Sequence, residues 1–239
     1  MNAVLRGVVL SAEKLGWEVI GFKDGFEGLL PPGDFTILDR ARIAGIMPRG
    51  GTILGTTNRG HFVAKVGAGE NAIVPGDVIQ RSREVLARLA VHGLIVVGGD
   101  GSMATALQLQ QAGIDCIGVP KTIDNDLEAT AMTFGFDSAV AEVMDALDRL
   151  HTTSTSHKRV MVLEVMGRQA GWIALHGGIA GGAHIILIPE IPFDYDRIAA
   201  AVRKRDDHGS HNSLIVVAEG ATPRHGQQVM HETETGEFR

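Results

Sequence analysis

The stretch Leu94-Ile95-Val96-Val97-Gly98-Gly99-Asp100-Gly101-Ser102, running on through Met103–Gln111 and Cys116–Val119 to Pro120-Lys121-Thr122-Ile123-Asp124-Asn125-Asp126, decides the fold. It reads as apolar strand, glycine turn, helix, second apolar strand and acidic turn. A period of roughly thirty residues suits one parallel βαβ unit. In an open parallel sheet, ligands bind beyond the carboxyl ends of the strands, which is where both polar clusters fall. The chain is therefore expected to be an α/β protein with its chemistry at these two strand ends.

Gly98, Gly99 and Gly101 let the main chain turn sharply and approach a ligand, and Ser102 is expected to cap the following helix and leave its N–H groups facing an anion. Asp100 would repel a phosphate in that cradle unless a cation intervened, so it is assigned to Mg²⁺. Asp124 and Asp126 stand two residues apart. If the segment is extended, both carboxylates share one side and Asn125 faces away. One could take the proton from an attacking hydroxyl while the other helps hold the metal, the division of labour that phosphoryl transfer needs. Gly98–Ser102 alone also fits an ordinary strand-to-helix turn; the acidic turn on the next strand favours function. The expectation is three carboxylates around one magnesium-bound polyphosphate.

Gly98-Gly99-Asp100-Gly101-Ser102, Pro120–Asp126 and the later Met166-Gly167-Arg168 together resemble the 6-phosphofructokinase family, from Met1 to about Gly220. The first motif is shared with NAD kinases and lipid kinases, which do not explain the other two. A dinucleotide-dependent oxidoreductase is weaker still, because the Gly-x-Gly-x-x-Gly spacing is missing. The resemblance implies two doubly wound, mainly parallel sheets with helices on both faces, incomplete here. Residues 1–136 would form the phosphoryl-donor domain and 137–239 the sugar-phosphate domain. It implies transfer of the γ-phosphoryl of MgATP to the 1-hydroxyl of fructose 6-phosphate, a step of glycolysis.

Under that resemblance Asp124 is the base, Asp100 and Asp126 manage Mg²⁺, and Thr122 holds the transferred phosphoryl. Arg59, at the end of Arg49-Gly50-Gly51-Thr52-Ile53-Leu54-Gly55-Thr56-Thr57-Asn58, would touch the same group. Arg159, after the hydroxyl-rich run Thr152–His157 read as a loop, would reach into a neighbouring subunit and bind sugar phosphate, which implies a dimer or tetramer. Arg168 is read at the start of a helix opened by Met166-Gly167-Arg168-Gln169-Ala170-Gly171, a suitable place to clamp an anion. Glu219, at another strand end, would accept sugar hydroxyls. The donor is marked by two positions that disagree. Gly101 leaves room for ATP, whereas Lys121 is typical of pyrophosphate-dependent members. Lost space cannot be restored while a lysine can swing aside, so ATP is favoured over pyrophosphate.

The rest of the composition sets bounds. With 44% hydrophobic residues and 31 glycines in 239 residues, the chain has the make-up of a folded α/β protein with many turns. Its one cysteine, Cys116, lies in an apolar run, so no disulfide framework can form within the chain. A net charge of −6 argues against nucleic acid and anionic membrane as general partners. No apolar run reaches membrane-spanning length and no signal-peptide layout opens the chain, so the cytoplasm is expected. The ten histidines lack zinc spacing.

Helices are expected over 2–16, 78–92, 137–150 and 195–206, with strands over 18–22, 159–165, 184–189 and 213–218, that over 159–165 buried, and irregular chain over 23–47. A chain that opens on a helix is unusual for this fold, and the resembled family has a strand and glycine-rich phosphate loop before it. Met1 is thus expected to be an internal start, or the sequence a fragment, and a non-catalytic binding or assembly partner is the alternative reading.

Overall fold

The computed structural model describes residues 1–57, 60–62 and 73–226. The chain forms two compact units, Met1–Pro120 and a second from Lys121 onward. The acidic turn therefore packs with the second unit, although the sequence placed the division near Phe136.

The first unit contains α1 (Asn2–Lys14), β1 (Ile20–Phe22), a short 3-10 turn (Gly25–Leu29), β2 (Phe35–Ile37), α2 (Gly76–Arg88), β3 (Leu94–Gly98), α3 (Asp100–Gln111) and β4 (Cys116–Pro120). β3 and β4 are parallel, with Leu94 beside Cys116 and Gly98 beside Pro120. α2 turns Val78, Val85 and Leu86 inward, and Val78 and Leu86 join Leu109 of α3 and Leu29 and Leu30 in one core. A second core gathers Val9 of α1 with Leu38, Ile43 and Ile46. β1, within the strand expected over 18–22, pairs antiparallel with β2 from Ile20–Ile37 to Phe22–Phe35, and β2 lies inside a region expected to be irregular.

The second unit contains α4 (Phe136–His157), β5 (Val160–Val165), α5 (Trp172–Ala180), β6 (Ile185–Leu187), α6 (Tyr195–Asp207) and β7 (Ser213–Ala218). Its sheet is parallel, in the order β5-β7-β6. Phe136, Val143 and Leu147 of α4 pack on Ile173 and Ala174 of α5 and on Leu214 and Val216 of β7. The helices lie close because Gly177 and Gly181 carry no side chain: a Cβ on either would collide with Val143 or Leu147.

Two expectations are corrected here. The run Thr152–His157 is the end of α4, not a loop. Four of its five hydroxyls donate to carbonyls one turn back, Thr152 to Arg149, Ser154 and Thr155 to His151, and Ser156 to Thr152, so these are satisfied without breaking the helix. The helix stops at Lys158, whose φ of 53° is left-handed. β5 was expected to be buried, yet among the described residues it is a sheet edge with Val160 46% and Val162 60% exposed, and its alternate residues Met161, Leu163 and Val165 meet the core. Among the described residues no helix is long and apolar enough to cross a membrane.

Candidate active site

The register that sets Gly98 beside Pro120 brings the carboxyl ends of β3 and β4 to the same edge. α3 begins directly at Asp100, with Gly99 as its N-cap and no side-chain cap. Ser102 is thus inside the first turn and does not cap the helix, although the sequence had suggested that it would. Its side chain instead lies so close to Gly98 that any Cβ there would overlap it. The first helical bond runs from Met103 N–H to the Gly99 carbonyl at 3.0 Å. Gly101 is a glycine of the opposite kind, since a Cβ added to it would meet nothing within 4 Å among the described residues. Space for a ligand remains there.

Lys121 to Asp126 leave β4 in a turn and not in an extended strand. Asn125 adopts φ 54°, so the alternation that would have set Asp124 and Asp126 on one side does not apply. The Thr122 hydroxyl donates to Asp124 Oδ2 at 3.1 Å and accepts from the Asp124 amide at 3.2 Å. Thr133, 3% exposed, closes the turn from behind: its hydroxyl donates to the Thr122 carbonyl at 2.8 Å and its amide to Asn125 Oδ1 at 2.9 Å. Sequence reading missed Thr133 because it lies in an unpatterned stretch. Asn125 between two aspartates was the available signal, since Asn tolerates the left-handed region.

At the second sheet, the ends of β5 and β7 remain paired past their last residues. Glu219 N–H donates to the Val165 carbonyl at 2.9 Å and Gly220 N–H to the Gly167 carbonyl at 3.1 Å. Arg168 Nε thereby stands 4.0 Å from Glu219 Oε1, with the two side chains 46% and 34% exposed. Met166 is exposed beside them, and Gly167, at φ 139°, takes a conformation that L side chains rarely adopt. Arg168 is not at a helix start: α5 begins at Trp172, and its capping residue Gly171 donates its N–H to Glu190 Oε1 at 2.8 Å. Glu190, from the end of β6, so holds the loop that carries Arg168, a role the sequence did not suggest.

Arg159 sits at the amino end of β5, across a six-residue strand of about 20 Å from Arg168 and Glu219. It cannot join them within one chain. Arg59 lies outside the described residues. Asn2, buried at the head of α1, donates to the carbonyls of Arg49 and Gly50 and accepts from Ile53 N–H, which shapes the loop leading toward Arg59.

Among the described residues no group of three or more His, Cys, Asp or Glu gathers to hold a metal, so the carboxylates do not form a ready-made cage. Mg²⁺ does not need one, because it keeps waters and takes phosphate oxygens beside one or two carboxylates. The open space at Gly101, one residue after Asp100, leaves room for a phosphate at the start of α3.

The phosphofructokinase family model matches residues 1–238. An ATP-dependent 6-phosphofructokinase of Chloroflexus aurantiacus is 54% identical over 229 residues, 96% of this chain and 64% of that protein. A pyrophosphate–fructose 6-phosphate 1-phosphotransferase of Streptomyces coelicolor is 47% identical over 232 residues, covering 96% and 64%. Among solved structures, phosphofructokinase from Saccharomyces cerevisiae superposes with a TM-score of 0.81 at 29% identity, over 93% of this chain and 32% of that one. A pyrophosphate-dependent phosphofructokinase from Marinobacter aquaeolei gives 0.76 at 29%, over 93% and 57%. The chain thus spans about 64% of the length of the curated relatives it matches.

Proposed function

We propose, from the premise that this chain belongs to the phosphofructokinase family, that it carries the site for moving the γ-phosphoryl of ATP to the 1-hydroxyl of fructose 6-phosphate. The observation that carries this reading is the Thr122–Asp124 pair, held on a turn directly after a strand whose last residue lies beside Gly98. Thr122 fixes one oxygen of the Asp124 carboxylate and leaves Oδ1 to take the proton of the sugar hydroxyl as it attacks. The Thr122 hydroxyl can then turn to the phosphoryl in flight. Arg168 balances charge on the transferred group, Glu219 accepts sugar hydroxyls, and Met166 and Gly167 form the wall beside them. Gly98, Gly99, Gly101 and Ser102 line the donor cradle with Lys121, and Arg59 reaches the same phosphates. Mg²⁺, held by Asp100 and Asp126, would neutralise charge on the polyphosphate when bound. Transfer of this kind rests on positioning and electrostatics.

ATP is the donor because Gly101 leaves its side-chain space open. Lys121 and the pyrophosphate-dependent relatives support pyrophosphate as the second reading. Arg159, at the far end of β5, acts in a neighbouring subunit of a dimer or tetramer. The test is a coupled assay for fructose 1,6-bisphosphate with ATP or pyrophosphate, run on this chain and on a chimera extended to the full length of the Chloroflexus aurantiacus relative. Turnover with ATP is expected. Turnover of the chimera alone would make the 239-residue chain a binding or assembly partner, and turnover of neither would remove the assignment.

A further inference from the structure

Away from these residues, a groove of about 200 Å³ opens between β6, the segment 192–194 and α6. Ile185, Leu187, Phe193, Ile198 and Ala201 give it an apolar lining. Arg197 and Arg224 also line it. Arg224 is placed there by the backbone, since its N–H donates to the Phe193 carbonyl at 2.8 Å while Phe193 N–H donates to the Thr222 carbonyl at 3.0 Å. The one acid in the lining, Asp194, is turned to its helix and accepts from the amides of Asp196 and Arg197. Neither guanidinium has a hydrogen-bond or ion-pair partner among the described residues. In a chain of net charge −6, two uncompensated cations beside an apolar lining are matched by an anion that carries an apolar body.

We propose that this groove binds a small organic anion, one ring or short aliphatic body bearing a carboxylate or phosphate. The size follows from volume, because an apolar cavity of about 150 Å³ accommodates benzene. The head group follows from the guanidinium fork, which takes carboxylate and phosphate oxygens in pairs. The site shares no residue with the proposed catalytic machinery, so its test stands whether or not that reading holds.

Phenyl phosphate, benzoate, inorganic phosphate and benzyl alcohol would be titrated by calorimetry into the full chain saturated with fructose 6-phosphate. Phenyl phosphate or benzoate is expected to bind, and whichever is tighter identifies the head group, while benzyl alcohol and inorganic phosphate bind at least tenfold more weakly. Arg224→Gln and Arg197→Gln should each weaken binding about tenfold, as loss of a charge-assisted hydrogen bond requires. Ala201→Leu, which puts a larger side chain into the groove, should abolish binding of the ring and leave the weak response to inorganic phosphate. Wild-type affinity in both arginine variants, equal binding of phenyl phosphate and inorganic phosphate, or loss of binding only when fructose 6-phosphate is present would each overturn the proposal.

Discussion

Gly220 and Gly101 are glycines for opposite reasons. A Cβ on Gly220 would fall on the Arg168 carbonyl, a backbone atom that cannot swing away, whereas one on Gly101 would stand in open space. Gly220→Ala should therefore part the two loops that bring Arg168 and Glu219 together. The expected result is a rise of about tenfold or more in KM for fructose 6-phosphate, with stability reduced by about 1–3 kcal/mol in urea unfolding. Gly101→Asp should fold normally and lose ATP-dependent turnover while retaining any with pyrophosphate, because a carboxylate fills and repels the α-phosphate position. Equal loss with both donors would contradict the donor argument. The positions of Asp100 and Asp124 just past β3 and β4 were legible because strand ends are readable from apolar runs. The turn around Asn125 was not, because a single residue at φ 54° reverses an alternation that hydrophobic pattern alone implies.

At the scale of elements, the helix and strand cores were legible wherever apolar periodicity was strong, as in α2 and β7, and the boundaries failed where polar side chains satisfied themselves. α4 runs seven residues beyond Leu150, to His157, because its Ser and Thr hydroxyls bond inside the helix. β1 falls within the strand read over 18–22, whereas its partner β2 was missed because a three-residue strand flanked by Gly, Pro and Asp carries too little pattern to outweigh its turn residues. At the start of β7 a titratable group forms part of the sheet. Leu214 N–H donates to His184 Nδ1 at 2.8 Å, so that nitrogen must be unprotonated. Burial, with Arg205 and then His151 nearby, holds the His184 pKa below its ordinary value. Between the depressed folded value and an unfolded value near 6.5 the unfolded chain binds more protons. The contribution of His184 is therefore fully present above about pH 6.5 and lost as pH falls below it. The urea midpoint should drop on acidification through that window. His184→Ala should remove this part of the slope and cost about 1–3 kcal/mol at neutral pH by orphaning the Leu214 amide. A variant with the full wild-type slope would show that another group is responsible.

At the scale of the whole molecule, the chain matches the phosphofructokinase family almost from end to end while spanning about 64% of its relatives' length. If Arg159 serves a neighbouring subunit, a site lacking Asp124 and a site lacking Arg159 can complement each other. Mixing inactive Asp124→Ser chains with inactive Arg159→Ala chains, after unfolding and refolding together, should restore up to about a quarter of the wild-type turnover, since one pairing in four supplies both residues to one site. No recovery would place Arg159 outside any shared site. The central claim is that the Asp124 carboxylate takes the proton of the sugar hydroxyl during phosphoryl transfer, and it is tested most directly by the single-turnover rate of fructose 1,6-bisphosphate formation in Asp124→Ser, with fructose 6-phosphate affinity measured on the same protein. The account predicts a rate lower by a factor of about 10²–10⁴ with affinity nearly unchanged; a rate equal to that of the wild type would contradict it.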